Sequence, residues 1–289
     1  MYKSLEEIAQ VSKQKNIPFW QVILEDDCKE RMVSPEQSKK ELMAMYQAMK
    51  EADVAYDAKQ KSRSGMVGGN GQLFHDAVVS GKTICGPVIA SAIEKALKMG
   101  ESNACMKRIV AAPTAGACGV VPAVYLTLQE QRQIDDERML EAMYIASGVG
   151  GVIANRAFLA GAAGGCQAEI GSASSMAAAG AVYLAGGDTE AIIHAAAMAM
   201  KNLLGLACDP VAGLVEVPCV KRNVVGAVNA LSAADMALAG VRSIIPPDEV
   251  FDAMGSVGIS LPEAIRETGK GGLAATTTGQ KIAQGLQHE

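Results

Sequence analysis

Aromatic side chains are scarce in this chain: four phenylalanines, six tyrosines and one tryptophan among 289 residues. Its core must therefore be packed from Ala, Val, Ile, Leu and Met, and thirty glycines with many alanines imply helices whose backbones approach closely. Positive charge is short as well. Lys and Arg number 26 against 31 Asp and Glu, a formal net charge of −5, which argues against the basic face that nucleic acid demands. No C-x-x-C pair occurs, so the usual zinc and ferredoxin spacings are excluded. Neither a P-loop nor a dinucleotide fingerprint fits. No lysine stands in a recognisable Schiff-base context, which disfavours a pyridoxal-phosphate enzyme. The opening Met-Tyr-Lys-Ser-Leu-Glu-Glu has no apolar run or cleavage site and does not read as a signal peptide. The best membrane-span candidate, 142–165, carries Asn155 and Arg156 in its middle. Arginine at a bilayer centre is costly, so a buried helix is expected there instead. Seven cysteines, an odd number, with no export signal point to a reducing cytoplasm.

What is present describes a globular chain with a full core: 49% hydrophobic and 20% charged residues. The expected fold class is all-α, with small-residue-rich helices packed around a buried site. Two segments are expected, an N-terminal helical one over 1–60 and a catalytic unit over 61–289 that reads as one continuous globule. Ser4-x-x-Glu7 and Ser34-Pro-Glu-Gln37 have the form of capping boxes, the second with proline at the first helical position. Phe19 and Trp20 are expected as core anchors for the first helices. Two helices are expected over 72–99 around Gly81–Gly86. Residues 107–112 form the one strand candidate, or an extended lead-in. Helices follow from about Val120, over 189–204, and from Asn223 to Gly240, with further starts at Pro246-Pro247 and Pro262.

Two glycine loops are candidates for holding an anion. In Ser62-Arg-Ser64-Gly65-Met-Val67-Gly68-Gly69-Asn-Gly71, closely spaced glycines expose backbone N–H groups and serines add hydroxyls, which suits a carboxylate or a phosphate. An ordinary flexible turn has the same composition. In Pro113-Thr114-Ala-Gly116-Ala-Cys118-Gly119, a small-residue loop runs into a helix start, where N–H groups favour an anion. Tight packing explains that loop equally well. His75, beside Asp76, has the type of a general base but more often serves at a surface or cap. His194, flanked by Ile193 and alanines, reads as a packed histidine.

The chain is organised around residues 164–223, which hold Cys166, Cys208 and Cys219. Free cysteine commonly behaves as a small buried hydrophobe. Asp209-Pro210 directly after Cys208, and Pro218 directly before Cys219, place both in loops outside regular helix. Glu169, three residues after Cys166, falls near it on a helix and suits hydrogen bonding around a ligand.

These strings resemble the iron–sulfur L-serine dehydratases. The resemblance rests on Cys166-Gln-Ala-Glu-Ile-Gly-Ser, on Cys208-Asp-Pro-Val-Ala-Gly-Leu-Val-Glu-Val-Pro-Cys219-Val-Lys-Arg-Asn223, on Ala112-Pro113-Thr114-Ala-Gly116 and on Glu267-Thr-Gly-Lys-Gly-Gly-Leu-Ala-Ala-Thr-Thr-Thr-Gly279. It covers roughly residues 60 to 285 and is similar to the α chain of the two-subunit form, or the C-terminal half of the one-chain form. It implies a 4Fe–4S cluster on Cys166, Cys208 and Cys219, leaving one iron without a cysteine. It also implies substrate contacts from Ser62, Ser64, Gly65, Thr114 and Gly116. Val67 stands where that family often has a threonine, so this chain lacks that hydroxyl. The implied reaction is loss of water from L-serine, giving pyruvate and ammonia, with the open iron holding the β-hydroxyl. None of the three histidines (His75, His194, His288) matches the Ser-His-Thr motif of the family's β portion, so the α-proton base is expected from a separate β subunit. The final Gln287-His288-Glu289 offers no thiol to cap the open iron. The alternatives are a cluster-dependent L-cysteine desulfidase and a cluster-bearing electron-transfer or sensor module. Neither nucleic acid nor a membrane is expected as a partner.

Overall fold

The computed structural model describes residues 2–286. In chain order the helices are α1 (Leu5–Lys15), α2 (Phe19–Arg31), α3 (Pro35–Val54), α4 (Asn70–Val79), α5 (Pro87–Ala104), α6 (Val120–Arg132), α7 (Asp136–Arg156), α8 (Gly161–Gly164), α9 (Ser172–Leu184), α10 (Thr189–Lys201), α11 (Cys219–Leu238), α12 (Pro247–Ser260) and α13 (Thr277–Leu286). Among the described residues there is no strand, only an isolated parallel bridge between Cys208 and Arg266. The fold is all-α. No helix among those residues is long and apolar enough to cross a membrane.

Helix starts follow the chemistry of the sequence. Ser4 accepts from Glu7 N–H at 3.1 Å and Ser34 from Gln37 N–H at 3.2 Å, with Pro35 opening α3. Asp135 and Asp188 cap α7 and α10 in the same way. At the centre lies α9, SASSMAAAGAVYL, buried at every position but Tyr183. Its small side chains let α6, α7, α10 and α11 all pack against it. A β-carbon at Gly180 would lie 1.7 Å from the Tyr125 hydroxyl oxygen, so only glycine lets α6 come this close. Ser174 and Ser175 satisfy their hydroxyls on carbonyls of neighbouring helices, Gly226 at 2.8 Å and Ala196 at 2.9 Å. The main core runs from Leu5 to Met254, so α1–α3 share it with the later helices. Phe19 is fully inside it; Trp20 only packs against its edge, with Lys39 over the ring.

Two expectations change. The apolar stretch 142–165 is not one helix: α7 stops at Arg156, which needs polar partners and finds them in Asp252 (2.9 Å), the Asp248 carbonyl (3.2 Å) and the Lys3 carbonyl (3.1 Å). Cys219 is not outside regular helix. Pro218 precedes it at the cap position, and Cys219 is the first residue of α11. Residues 107–110 form no strand and carry no regular secondary structure, which leaves the lead-in of the two alternatives. The two helices over 72–99 appear as α4 and α5, and Pro262 opens a short turn at Glu263–Ile265.

The first glycine loop already holds a carboxylate, and it is the chain's own. Glu101, 1% exposed, accepts N–H bonds from Gly68 (3.1 Å), Asn70 (2.9 Å) and Gly71 (3.1 Å), and the Tyr56 hydroxyl at 2.7 Å. Burial works against its ionised form, but the bonds from Tyr56, Gly71 and Asn70 outweigh it and hold the carboxyl below its ordinary 4.5. Its stabilising contribution is therefore fully present above pH 4.5 and is lost as pH falls through the lower folded value. Glu101→Gln places an amide against these donors. It is expected to destabilise the fold by about 2–3 kcal/mol in urea unfolding at pH 7, with a smaller difference at acidic pH.

Candidate functional site

The three cysteines of the 164–223 stretch come from three different elements and lie near enough that the charges of Cys166 and Cys219 act on Cys208. Cys166 follows Gly165, a glycine at φ 77°, and heads a π-helical turn, Gln167–Gly171, that leads into α9. Such wide turns recur at functional sites. Gln167 fixes this turn: its amide donates to the carbonyls of Gly164 (2.9 Å) and Met254 (3.2 Å) and accepts from Gly205 N–H (2.8 Å). Cys208 sits in the parallel bridge, its N–H donating to Ile265 and its carbonyl accepting from Glu267 N–H, both at 2.8 Å. Cys219 opens α11.

All three are free thiols; Cys166 and Cys208 are buried and Cys219 partly so. Burial pushes Cys166 up to about 12, against the pull of Arg222 and with the charges of Glu169 and Cys219 adding to it. Cys219 is pushed up to about 12, first by burial and then by Glu169. Cys208 rises further, through burial and then Cys166, Glu169, Glu267 and Cys219. Cys208 thus feels both other thiols, and the site carries an acidic pair, Glu169 and Glu267. A cation that displaced the thiol protons would take thiolates in a desolvated pocket, so binding is expected to strengthen with pH.

Gly161 lines this pocket. A β-carbon there would lie 2.8 Å from Glu169 Oε2 and 2.9 Å from Cys208 Sγ, so the missing side chain leaves a cradle beside both. Among the described residues no three His, Cys, Asp or Glu side chains gather tightly enough for a single metal ion. A polynuclear iron–sulfur cluster spreads its thiolates farther apart than one ion does. Three soft sulfurs, two of them buried, with the Gly161 cradle beside Cys208, fit that group in donor chemistry.

The loop residues singled out from sequence lie against internal carboxylates. Thr114 donates to Glu169 Oε1 at 2.7 Å, and Gly116 packs on the same carboxylate. Burial pushes Glu169 up, the Thr114 bond opposes this, and Glu267 adds to it. As the first residues of the short turn Ala115–Ala117, Ala115 and Gly116 have N–H groups without a partner inside it. Asn223 ties this turn to the start of α11. It donates to the carbonyls of Gly116 (2.8 Å) and Cys219 (2.9 Å) and accepts from Gly119 N–H (2.8 Å). Ser62 donates to Glu216 Oε2 at 2.7 Å, and Ser64 bonds the same oxygen. Gly65, at φ 75°, closes this turn through its N–H to the Ser62 carbonyl.

Other candidates lie elsewhere. His75 is half-buried and pairs with Glu94 at 3.1 Å between α4 and α5. His194 is packed, accepting from Ser243 N–H. His288 lies outside the described residues. Of the remaining cysteines, Cys85 is exposed and Cys28 and Cys105 are partly buried; Cys118 is fully buried and close enough to Cys219 to feel its charge. A cavity of about 440 Å³ between the N-terminal helices and α7, lined by Ile23, Ser38, Leu42 and Tyr144, contains no cysteine. Sequence reasoning gave no role to Asp209, Glu216, Arg222, Asn223 or Gly161. The first four stand inside the quoted cysteine string, as polar residues in an otherwise small and apolar stretch, and that contrast is the signal. Gly161 carried none.

The model for the serine dehydratase alpha chain family matches residues 14–274. The chain is 46% identical to the probable L-serine dehydratase alpha chain of Bacillus subtilis over 288 residues, covering 98% of this chain and 94% of that one. It is 42% identical to the L-serine dehydratase alpha chain of Peptoniphilus asaccharolyticus over 291 aligned positions, covering 100% and 99%. An L-serine dehydratase of Helicobacter pylori is 41% identical over 181 residues, 62% of this chain but 40% of that protein.

Proposed function

The chain belongs to the serine dehydratase alpha chain family, and from that premise we propose that it is the cluster-bearing chain of a two-subunit lyase. The reaction is elimination of water from L-serine, with the resulting aminoacrylate tautomerising and hydrolysing to pyruvate and ammonia. The observation that supports this reading is that Glu169, which accepts from Thr114 and packs on Gly116, lies close enough for its charge to act on Cys166, Cys208 and Cys219 alike.

Cys166, Cys208 and Cys219 would hold a 4Fe–4S cluster. Bound there, it supplies a Lewis acid for the β-hydroxyl, since hydroxide is otherwise a poor leaving group. The chain's own residues position the substrate. The N–H groups of Ala115 and Gly116, which have no partner inside their turn, receive its carboxylate. Ser62, Ser64 and Gly65 close the other side, exchanging Glu216 for substrate. Glu169 holds the Thr114 hydroxyl and so the turn. The base for the α-proton is supplied by a partner β chain, because His75 is paired with Glu94 and Glu169 is committed to Thr114. A reducing cytoplasm suits the free thiols.

The test is an anaerobic assay of the chain with its partner on L-serine and, separately, on L-cysteine. Pyruvate and ammonia in equal amounts from L-serine is the expected result. Sulfide from L-cysteine with no pyruvate from L-serine would assign the site to a desulfidase.

A further inference from the structure

Arg222 reaches from the helix that Cys219 opens to the backbone on either side of Cys208. It lies in the first turn of α11, three residues after Cys219 and so on the same helix face. From there its Nη1 donates to the Ala207 carbonyl at 2.6 Å and its Nη2 to Asp209 Oδ1 at 2.8 Å. These two bonds bracket Cys208 from the residue before it and the residue after it. The charge of the same guanidinium also acts on Cys166, pulling its thiol down against burial. Asp209 is fixed in turn: its second oxygen accepts from Leu273 N–H at 2.8 Å, and a β-carbon at Gly272 would lie 2.3 Å from it. The Arg222 and Asp209 side chains are only 15% and 7% exposed.

A buried ion pair carries a desolvation cost that apolar residues of similar volume would not, so its presence here is weak evidence for stability alone. Its geometry says more. A planar fork with five donors can serve a carbonyl, a carboxylate and a sulfur together; an ammonium on a flexible stem cannot hold the same three directions. Hydrogen bonds to ligand sulfurs also tune iron–sulfur clusters.

We propose that Arg222 is the positioning residue of the cysteine site, registering Cys166, Cys208 and Cys219 to one another and donating to the Cys166 sulfur when the thiolates are loaded. This rests on the reading that these cysteines hold an iron–sulfur cluster.

The experiment compares the full-length wild type, Arg222→Gln and Arg222→Lys, each reconstituted anaerobically with iron and sulfide. It measures iron per chain, the rate of iron loss to a ferrous chelator and the electron paramagnetic resonance spectrum of the reduced cluster. Circular dichroism and the thermal midpoint of the metal-free proteins report folding. Removing such an outer partner typically weakens metal holding 10–100-fold. Arg222→Gln should therefore lose iron about 10–100-fold faster with an altered spectrum, and Arg222→Lys should fall between it and wild type. If Arg222→Gln does not fold, the lysine variant, which keeps the charge, decides by the same two readouts. Folded variants with wild-type loss rate and spectrum would overturn the proposal and leave the cluster reading intact. A wild type that takes up no iron would overturn both.

Discussion

Serine at Cys166, Cys208 or Cys219 is expected to remove the cluster and with it nearly all turnover of L-serine. A serine hydroxyl is a hard, weakly acidic donor and does not replace a soft thiolate. Losing a Lewis acid forfeits several kcal/mol of charge stabilisation at the leaving hydroxyl. At 1.36 kcal/mol per factor of ten, that is on the order of 10³ or more in rate. The control is Cys118→Ser. Cys118 is buried with its thiol directed at the Met99 carbonyl at 3.9 Å, and it neighbours Cys219 without standing in the ligand string. It should keep its iron. Iron retained in any one of the three ligand variants, or lost in Cys118→Ser, would require a different ligand set.

The second large effect concerns the isolated chain. Loaded with iron but without a partner, it should turn over L-serine about 10²–10⁴ more slowly than the complete enzyme, the share that a positioned base typically contributes. Its described histidines are engaged elsewhere, His75 with Glu94 and His194 with Ser243. The titratable group at the site with a shifted carboxyl is Glu169, and Thr114 occupies it. A β chain carrying the Ser-His-Thr motif should restore the rate. Full activity from this chain alone would make Glu169 the base. Glu169→Gln, assayed across pH, would then abolish the ascending limb of the rate profile.

Much of this arrangement could be read from local sequence. Ser4, Ser34 and Pro35 announce helix starts because capping is settled within four residues. The alanine and glycine content of 172–184 announces a helix that others pack around. Cys219 was misplaced by the prolines near it: Pro218 reads as a helix breaker, yet a proline just before the first turn is where a helix tolerates one. What the serine and threonine hydroxyls touch could not be read. Ser62 meets Glu216 from 154 residues away, and Thr114 meets Glu169 from 55. The first glycine loop shows the limit most plainly. Its N–H groups were correctly read as suited to a carboxylate, but that carboxylate is Glu101 on α5, brought in by the packing of α4 on α5. The same distance hid Gly161, whose smallness is required by Cys208 and Glu169 and by nothing beside it in the chain.

The most direct test of the account is the iron and acid-labile sulfide content of the wild-type chain after anaerobic reconstitution, measured per folded chain. The account predicts about four of each, both lost together when any one of Cys166, Cys208 or Cys219 is replaced. A chain that folds, binds neither iron nor sulfide, and yet releases pyruvate from L-serine with its partner would contradict it.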